Sequence, residues 1–191
     1  MIIALMVALQ GCSLFETRNP AAPESGANVW IPPIEPGDVL TNIERAFALQ
    51  DANLYMKSFA EPGSADSAFS YFPDPASVGF DTSLFSDWGY FQEQAFALNL
   101  FNNPDFITEG SQAVFQFTPE SEPPGEINPV YLESYNIAID TASEEIPTEY
   151  TGKARITFQR NNNGNWVIIR WEDEQAGEEP TYSRLKSLVS N

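Results

Sequence analysis

The chain has 191 residues, 27 of them acidic and nine basic, no histidine and one cysteine, giving a formal net charge of −18 at pH 7. That balance excludes nucleic acid as a partner, because phosphates are neutralised by Lys and Arg, and it disfavours a domain lying flat on anionic lipid. Without histidine or a second thiol, no Ser-His-Asp triad, His-based zinc site, Cys-based cluster or internal disulfide can be assembled, so no metal and no cofactor is implied.

The first element is an apolar run, Ile2 to Leu9. It is too short to span a bilayer, which needs about 20 residues, and it has the length of the apolar part of a signal peptide. It closes in Leu9-Gln10-Gly11-Cys12. This resembles the lipobox of bacterial lipoproteins, with an aliphatic residue three before the cysteine and a small one just before it. The resemblance implies cleavage before Cys12, acylation of its thiol and a membrane anchor for everything that follows. Ser13, where an Asp would retain the protein in the inner membrane, implies an outer-membrane address facing the periplasm. Gln10 departs from the usual lipobox, and no Lys or Arg precedes the run, where signal peptides carry positive charge, so the true start is expected upstream of Met1. Residues 1–11 are therefore read as signal peptide. Residues 12–37, with Pro20, Pro23, Pro32, Pro33 and Pro36, are read as the lipidated cysteine and an extended tether. Trp30 and Ile31 are too apolar for a free linker and are expected to dock on the domain.

Residues 38–191 are read as one domain. Asp38 is the expected N-cap of a helix carrying Val39, Leu40, Ile43, Ala46 and Phe47 on one stripe. A second short helix covers Leu54 to Phe59 and ends at Pro62-Gly63. Phe69 to Phe72 is a short strand. Ser86 or Asp87 caps a third helix, with Trp88, Phe91, Ala95, Leu98 and Phe101 as its expected apolar line.

The second half is strand-like. Ala113 to Thr118 and Val130 to Asp140 read as strands, the latter with Tyr131, Tyr135, Ile137 and Ile139 on one face. Asn161-Asn-Asn-Gly164 is a hairpin turn signal. A four-residue loop would set Phe158 against Val167 and Ile156 against Ile169, leaving Trp166 and Ile168 on the opposite face and in need of a cover. Tyr182, Leu185 and Leu188 are spaced as a closing helix. Helices first and antiparallel strands second indicate an α+β domain.

This order resembles the cone-shaped nuclear transport factor 2-like, or cystatin-like, domains, in which N-terminal helices pack on a curved antiparallel sheet. The likeness rests on Val39 to Met56 and on Asn163-Gly-Asn-Trp-Val-Ile-Ile-Arg-Trp-Glu-Asp173. With Glu179-Pro-Thr-Tyr-Ser-Arg-Leu-Lys186 it resembles a group of small bacterial lipoproteins of unknown function carrying such a domain. The Pro-rich insertion 119–129 is longer than the corresponding hairpin of the cone.

Enzymes of this fold work in the mouth of the cone, so the resemblance implies a search for a histidine-free proton-transfer pair. Donors would come from Tyr55, Tyr71, Tyr131 and Tyr135, and a base from Asp87 or Asp140, its pKa raised by an apolar pocket. With 27 acids in the chain, acid–tyrosine pairs also arise by chance. Ser183-x-x-Lys186 matches a serine–lysine acyl-enzyme pattern, but its companion motifs are absent, and it reads as a helix face. Glu172-Asp-Glu174 and Glu144-Glu145 lack the alternating ligands of a calcium loop. The favoured expectation is a non-catalytic, lipid-anchored envelope protein that binds a small apolar ligand or a protein partner. Its candidate contact residues are Tyr55, Trp88, Tyr131, Tyr135, Trp166 and Trp171, with Trp166 assigned to a homodimer or partner contact. The alternative is an isomerase or dehydratase using an Asp–Tyr pair.

Overall fold

The computed structural model describes residues 30–75, 82–121 and 127–190, and in it the segment at Trp30 and Ile31 is docked on the domain. Ile31 N–H donates to Asn42 Oδ1 at 3.0 Å, and Asn42 Nδ2 returns a bond to Ile31 O at 2.7 Å. This reciprocal pair clamps the incoming segment to helix α1, Pro36–Leu49. Cys12 and residues 1–29 lie outside the described residues.

Glu35, not Asp38, is the N-cap of α1. Pro36 has no N–H to leave unsatisfied and so suits the first helical position. Asp38 falls in the first turn, where its carboxylate reaches back to the N–H groups of Ile34 and Glu35, both at 3.0 Å. Val39, Leu40, Ile43, Ala46 and Phe47 are buried, as their spacing predicts. The helix stops at Gln50, which takes the left-handed conformation. Asp51 then caps α2, Ala52–Met56, accepting from Asn53 N and Leu54 N at 2.9 and 3.0 Å.

After strand β1, Ser70–Phe72, helix α3 runs Tyr90–Asn102. Its N-cap is Gly89, whose N–H is held by the Gln92 side chain at 3.2 Å, so Ser86 and Asp87 do not cap it. The buried face is Glu93, Phe96, Ala97 and Leu100. Phe91 and Leu98, expected on the inner line, are 66% and 45% exposed. Trp88 precedes the helix and its indole N–H donates to Glu93 Oε2 at 2.6 Å, which turns the Glu93 face inward and rolls Phe91 out.

Strands β2, Ala113–Ser121, β3, Val130–Ile139, β4, Glu149–Arg160, and β5, Trp166–Glu174, form with β1 one sheet in the order β1-β5-β4-β3-β2. Strand β1 pairs with β5 in parallel, and the other neighbouring strands pair antiparallel. Residues Ser58 to Ala60 cover the rest of that edge: Ile168 N–H donates to Ser58 O at 2.8 Å and Ala60 N–H to Ile168 O at 2.9 Å. Such cover removes an edge that would otherwise invite pairing with another chain.

The hairpin register differs from the expected one. Residues 161–165 form the turn, so Arg160 pairs with Trp166 and Phe158 with Ile168. Thr157 pairs with Arg170, which leaves Ile169 as a bulged residue and returns Trp171 to the inner face opposite Ile156. The longer turn moves the register by one residue and the bulge restores inward burial for both Ile168 and Trp171. Trp166 is half-buried. The Arg160 guanidinium lies 4.5 Å from its ring centre, and its N–H donates to Pro33 O at 2.9 Å.

Helix α4, Tyr182–Ser190, returns across the inner face, burying Tyr182, Ser183, Leu185, Lys186 and Val189. The sheet makes room for it at Gly152. A Cβ at Gly152 would lie 2.9 Å from Glu174 O and inside the van der Waals surface of the Tyr135 hydroxyl. Gly152→Ala should therefore destabilise the domain by about 1–3 kcal/mol, the usual range for overpacking. Gly37→Ala, where a Cβ meets nothing within 4 Å, should be neutral or slightly stabilising. Urea unfolding of the two variants checks this, and equal midpoints would refute it.

Candidate functional site

Two buried carboxylates organise the interior. Glu93 comes from the first turn of α3 and is 1% exposed; Lys186 of α4 is fully buried, and its Nζ pairs with Glu93 Oε1. Tyr55 of α2 donates its hydroxyl proton to the same oxygen. Tyr182 O and Tyr55 O are 2.6 Å apart. Since Tyr55 has already given its only proton to Glu93, Tyr182 is the donor there. The Lys186 ammonium also sits among ring faces, with Phe96, Tyr182, Tyr71 and Trp88 centred 4.2, 4.3, 4.7 and 5.1 Å away. Aromatic faces attract a cation most when water is excluded.

The second carboxylate is Asp173 of β5. Its Oδ1 accepts from the Tyr135 hydroxyl at 2.6 Å. Its Oδ2 accepts from Ser183 N at 2.8 Å, Ser183 Oγ at 2.5 Å and the Tyr71 hydroxyl at 3.1 Å. Tyr135 O in turn accepts Tyr182 N–H at 2.8 Å. Tyr182 thus links the two clusters, by its hydroxyl to Glu93's partner and by its backbone to Asp173's.

Burial sets the proton affinities. It raises Asp173 above the ordinary carboxyl value, against the hydrogen bonds from Ser183, Tyr135 and Thr181, which lower it. It also raises Tyr55, Tyr71, Tyr135 and Tyr182 well above 10, so all four remain donors at neutral pH. Burial pushes Lys186 down from 10.5 to about 8, outweighing the opposite pull of Glu93.

Of the residues singled out in the sequence, Tyr55, Tyr71, Trp88 and Tyr135 converge on these clusters. Trp171 lies against them, its ring 5.6 Å from Tyr182 and its indole N–H without an acceptor. Tyr131 and Trp166 stand apart, Tyr131 against Phe158 at 5.2 Å. Asp87 and Asp140 are exposed; tyrosine hydroxyls bond Glu93 and Asp173 instead. Both carried a signal. Glu93 lies in register with Phe96, Ala97 and Leu100, and Asp173 is two residues from the inward Trp171. Ser183 and Lys186 are buried but bond different carboxylates, which removes the acyl-enzyme arrangement.

No family model matches the chain, and no curated protein does. Solved structures do match in shape. An NTF2-like superfamily protein of Salmonella enterica serovar Typhimurium gives a TM-score of 0.51 at 12% identity, over 74% of this chain and 88% of that one. The fold is the nuclear transport factor 2-like, cystatin-like one. A proposed NTF2-like dehydratase of Streptomyces avermitilis gives 0.51 at 13% identity over 74% and 94%. A proposed aromatic ring hydroxylase of Novosphingobium aromaticivorans gives 0.55 at 14% identity over 78% and 92%. Among the described residues, α4 packs on the inner face of the cone through Tyr182, which meets Phe115 and Trp171. Open clefts lie outside it. One of about 440 Å³ is bordered by Asp74, Arg155, Glu172 and Asp173; another of about 480 Å³ lies between α2, α3 and the β4–β5 turn.

Removing one member of a buried ion pair strands the other charge. Lys186→Met and Glu93→Gln should each cost about 3–5 kcal/mol, and the double variant less than their sum. Between pH 8 and 10.5 the unfolded chain holds a proton on Lys186 that the folded chain has released. The unfolding free energy of the wild type minus that of Lys186→Met should therefore rise with pH across that window, the opposing contribution of the buried tyrosines being common to both proteins. Denaturation at a series of pH values reads both effects; additive single variants would refute the pairing.

Proposed function

We propose that this chain is a lipid-anchored protein of a bacterial envelope, held through acylated Cys12 to the outer membrane and facing the periplasm, whose domain binds rather than catalyses. The anchor is supported by the Leu9-Gln10-Gly11-Cys12 ending of an apolar run. The binding role is supported chiefly by one observation: Tyr182, Ser183, Leu185 and Lys186 of the chain's own α4 are buried, with Tyr182 against Phe115 and Trp171 on the inner face of the sheet, where the resemblance implies a pocket. Binding then falls to the outer surface. The outer face of the sheet is polar and charge-paired, with Arg170–Glu172 and Lys153–Glu120 each at 2.9 Å. It gives a second copy of the chain little apolar area to bury, so a different partner molecule is favoured over a homodimer.

A second reading has its own support. Asp173, with Tyr135 and Tyr71 as donors and a raised pKa, borders the 440 Å³ cleft. It is the acid–tyrosine arrangement that a histidine-free isomerase or dehydratase needs, and a dehydratase is among the proposed activities of the structural neighbours. Ser183 already takes two of the acceptor positions on Asp173, so a substrate would have to displace the start of α4. For this reason the binding role is preferred.

Labelled palmitate should enter the wild-type protein in a double-membraned bacterium, and the label should follow the outer-membrane fraction. Cys12→Ser should carry no label and leave the membrane. Label retained by Cys12→Ser would refute the anchor.

A further inference from the structure

The cleft between α2, α3 and the β4–β5 turn has an unusual lining. Trp30 and Tyr90, both half-buried, supply aromatic surface, and Asn53, Gln94, Asn163 and Asn165 supply carboxamides. Among the described residues, none of these four amide side chains hydrogen-bonds another protein group. Each therefore keeps two donors and an acceptor for a ligand. The lining has one cation, Lys57, and one anion, Glu61, so its formal charge cancels in a chain of net −18.

The cleft is also held rigid. Asn161 Oδ1 accepts Asn163 N–H and Asn165 N–H at 3.0 and 3.1 Å, which fixes the turn that carries two of the amides. Asn162 ties that turn to the Glu61–Ser64 loop, through its N–H to Ser64 O at 2.7 Å and its Nδ2 to Gly63 O at 3.1 Å. Lys57 Nζ lies 5.5 Å from the centre of the Trp30 ring. A fixed turn backbone limits the freedom lost on binding to the amide side chains, and about 480 Å³ lies within the size range of small-molecule sites.

We propose that this cleft binds a neutral oligosaccharide. A pyranose has a C–H face that packs on the electron-rich face of an indole or phenol ring. Its edge of adjacent hydroxyls pairs with planar amides, which donate and accept side by side. A phosphate or acidic sugar would find only Lys57 and would meet Glu61. The inference rests on the reading that the domain binds through its outer surface.

The test is an amide and indole NMR titration of the full chain carrying Cys12→Ser, with chitohexaose in one arm and maltohexaose in the other. Saturable shifts at Trp30, Tyr90, Asn163 and Asn165 are expected. Preference for chitohexaose would assign an N-acetylated glycan strand, and equal binding an unsubstituted one. Trp30→Ala should weaken binding about tenfold, as loss of one good contact does. Asn163→Ala with Asn165→Ala, on an exposed turn, serves as the second variant should Trp30→Ala misfold. No saturable shift with either sugar overturns the proposal and leaves the outer-surface reading standing. Shifts confined to Tyr55, Glu93 and Lys186 overturn both.

Discussion

The ion pair of Lys186 with Glu93 is the contact on which the rest of the interior depends, because neither charge can be left alone where no water replaces its partner. Each surrounding element contributes to that requirement. Helix α2 brings the Tyr55 hydroxyl, Trp88 brings an indole N–H that also sets the roll of α3, and four ring faces surround the ammonium. An apolar pair of the same volume would often be as stable or more so. The polar arrangement instead admits few alternatives: a helix shifted by one residue would strand Lys186 away from Glu93 and Ser183 away from Asp173.

Helix α4 is thereby a permanent inner layer of the cone. The tyrosines that would serve a pocket as donors serve the protein's own carboxylates, and Tyr182 couples the two clusters through its hydroxyl and its backbone N–H. Gly152 is the complement of this arrangement on the sheet, since a side chain there would fill the space that the Tyr135 hydroxyl uses to reach Asp173. The fold is common to proteins with different proposed roles, so the shape of the scaffold alone assigns none of them to this chain.

Much of the scaffold was legible in the sequence, because apolar spacing in α1 and alternation in β3 follow directly from helical and strand geometry. The misplacements have physical causes. On α3 apolar residues occur on both sides, so spacing alone did not choose between the Phe91 and Phe96 faces; a tryptophan-to-glutamate hydrogen bond from outside the helix did. In the hairpin, parity was counted through a residue that turned out to be bulged. Charged residues were assigned to the surface by default, which hid Glu93, Asp173 and Lys186, although each stands at an inward position of its own element. The outer cleft was not legible at all, since its amides come from α2, α3 and a turn whose Asn163 lies 110 residues beyond Asn53 and 69 beyond Gln94 in the chain.

The parallel pairing of β1 with β5 and the seat of Lys186 join the beginning and the end of the domain. A chain emerging from the ribosome N-terminus first can form α1, α2 and α3, yet it has neither the strand that receives β1 nor the cation that neutralises Glu93. Closure waits for β5 and α4. Such late, non-local contacts slow folding, and they keep the growing chain from locking prematurely. The same arrangement makes α4 indispensable: a stop codon before Lys186 would remove the keystone of the interior and leave Glu93 buried without its cation.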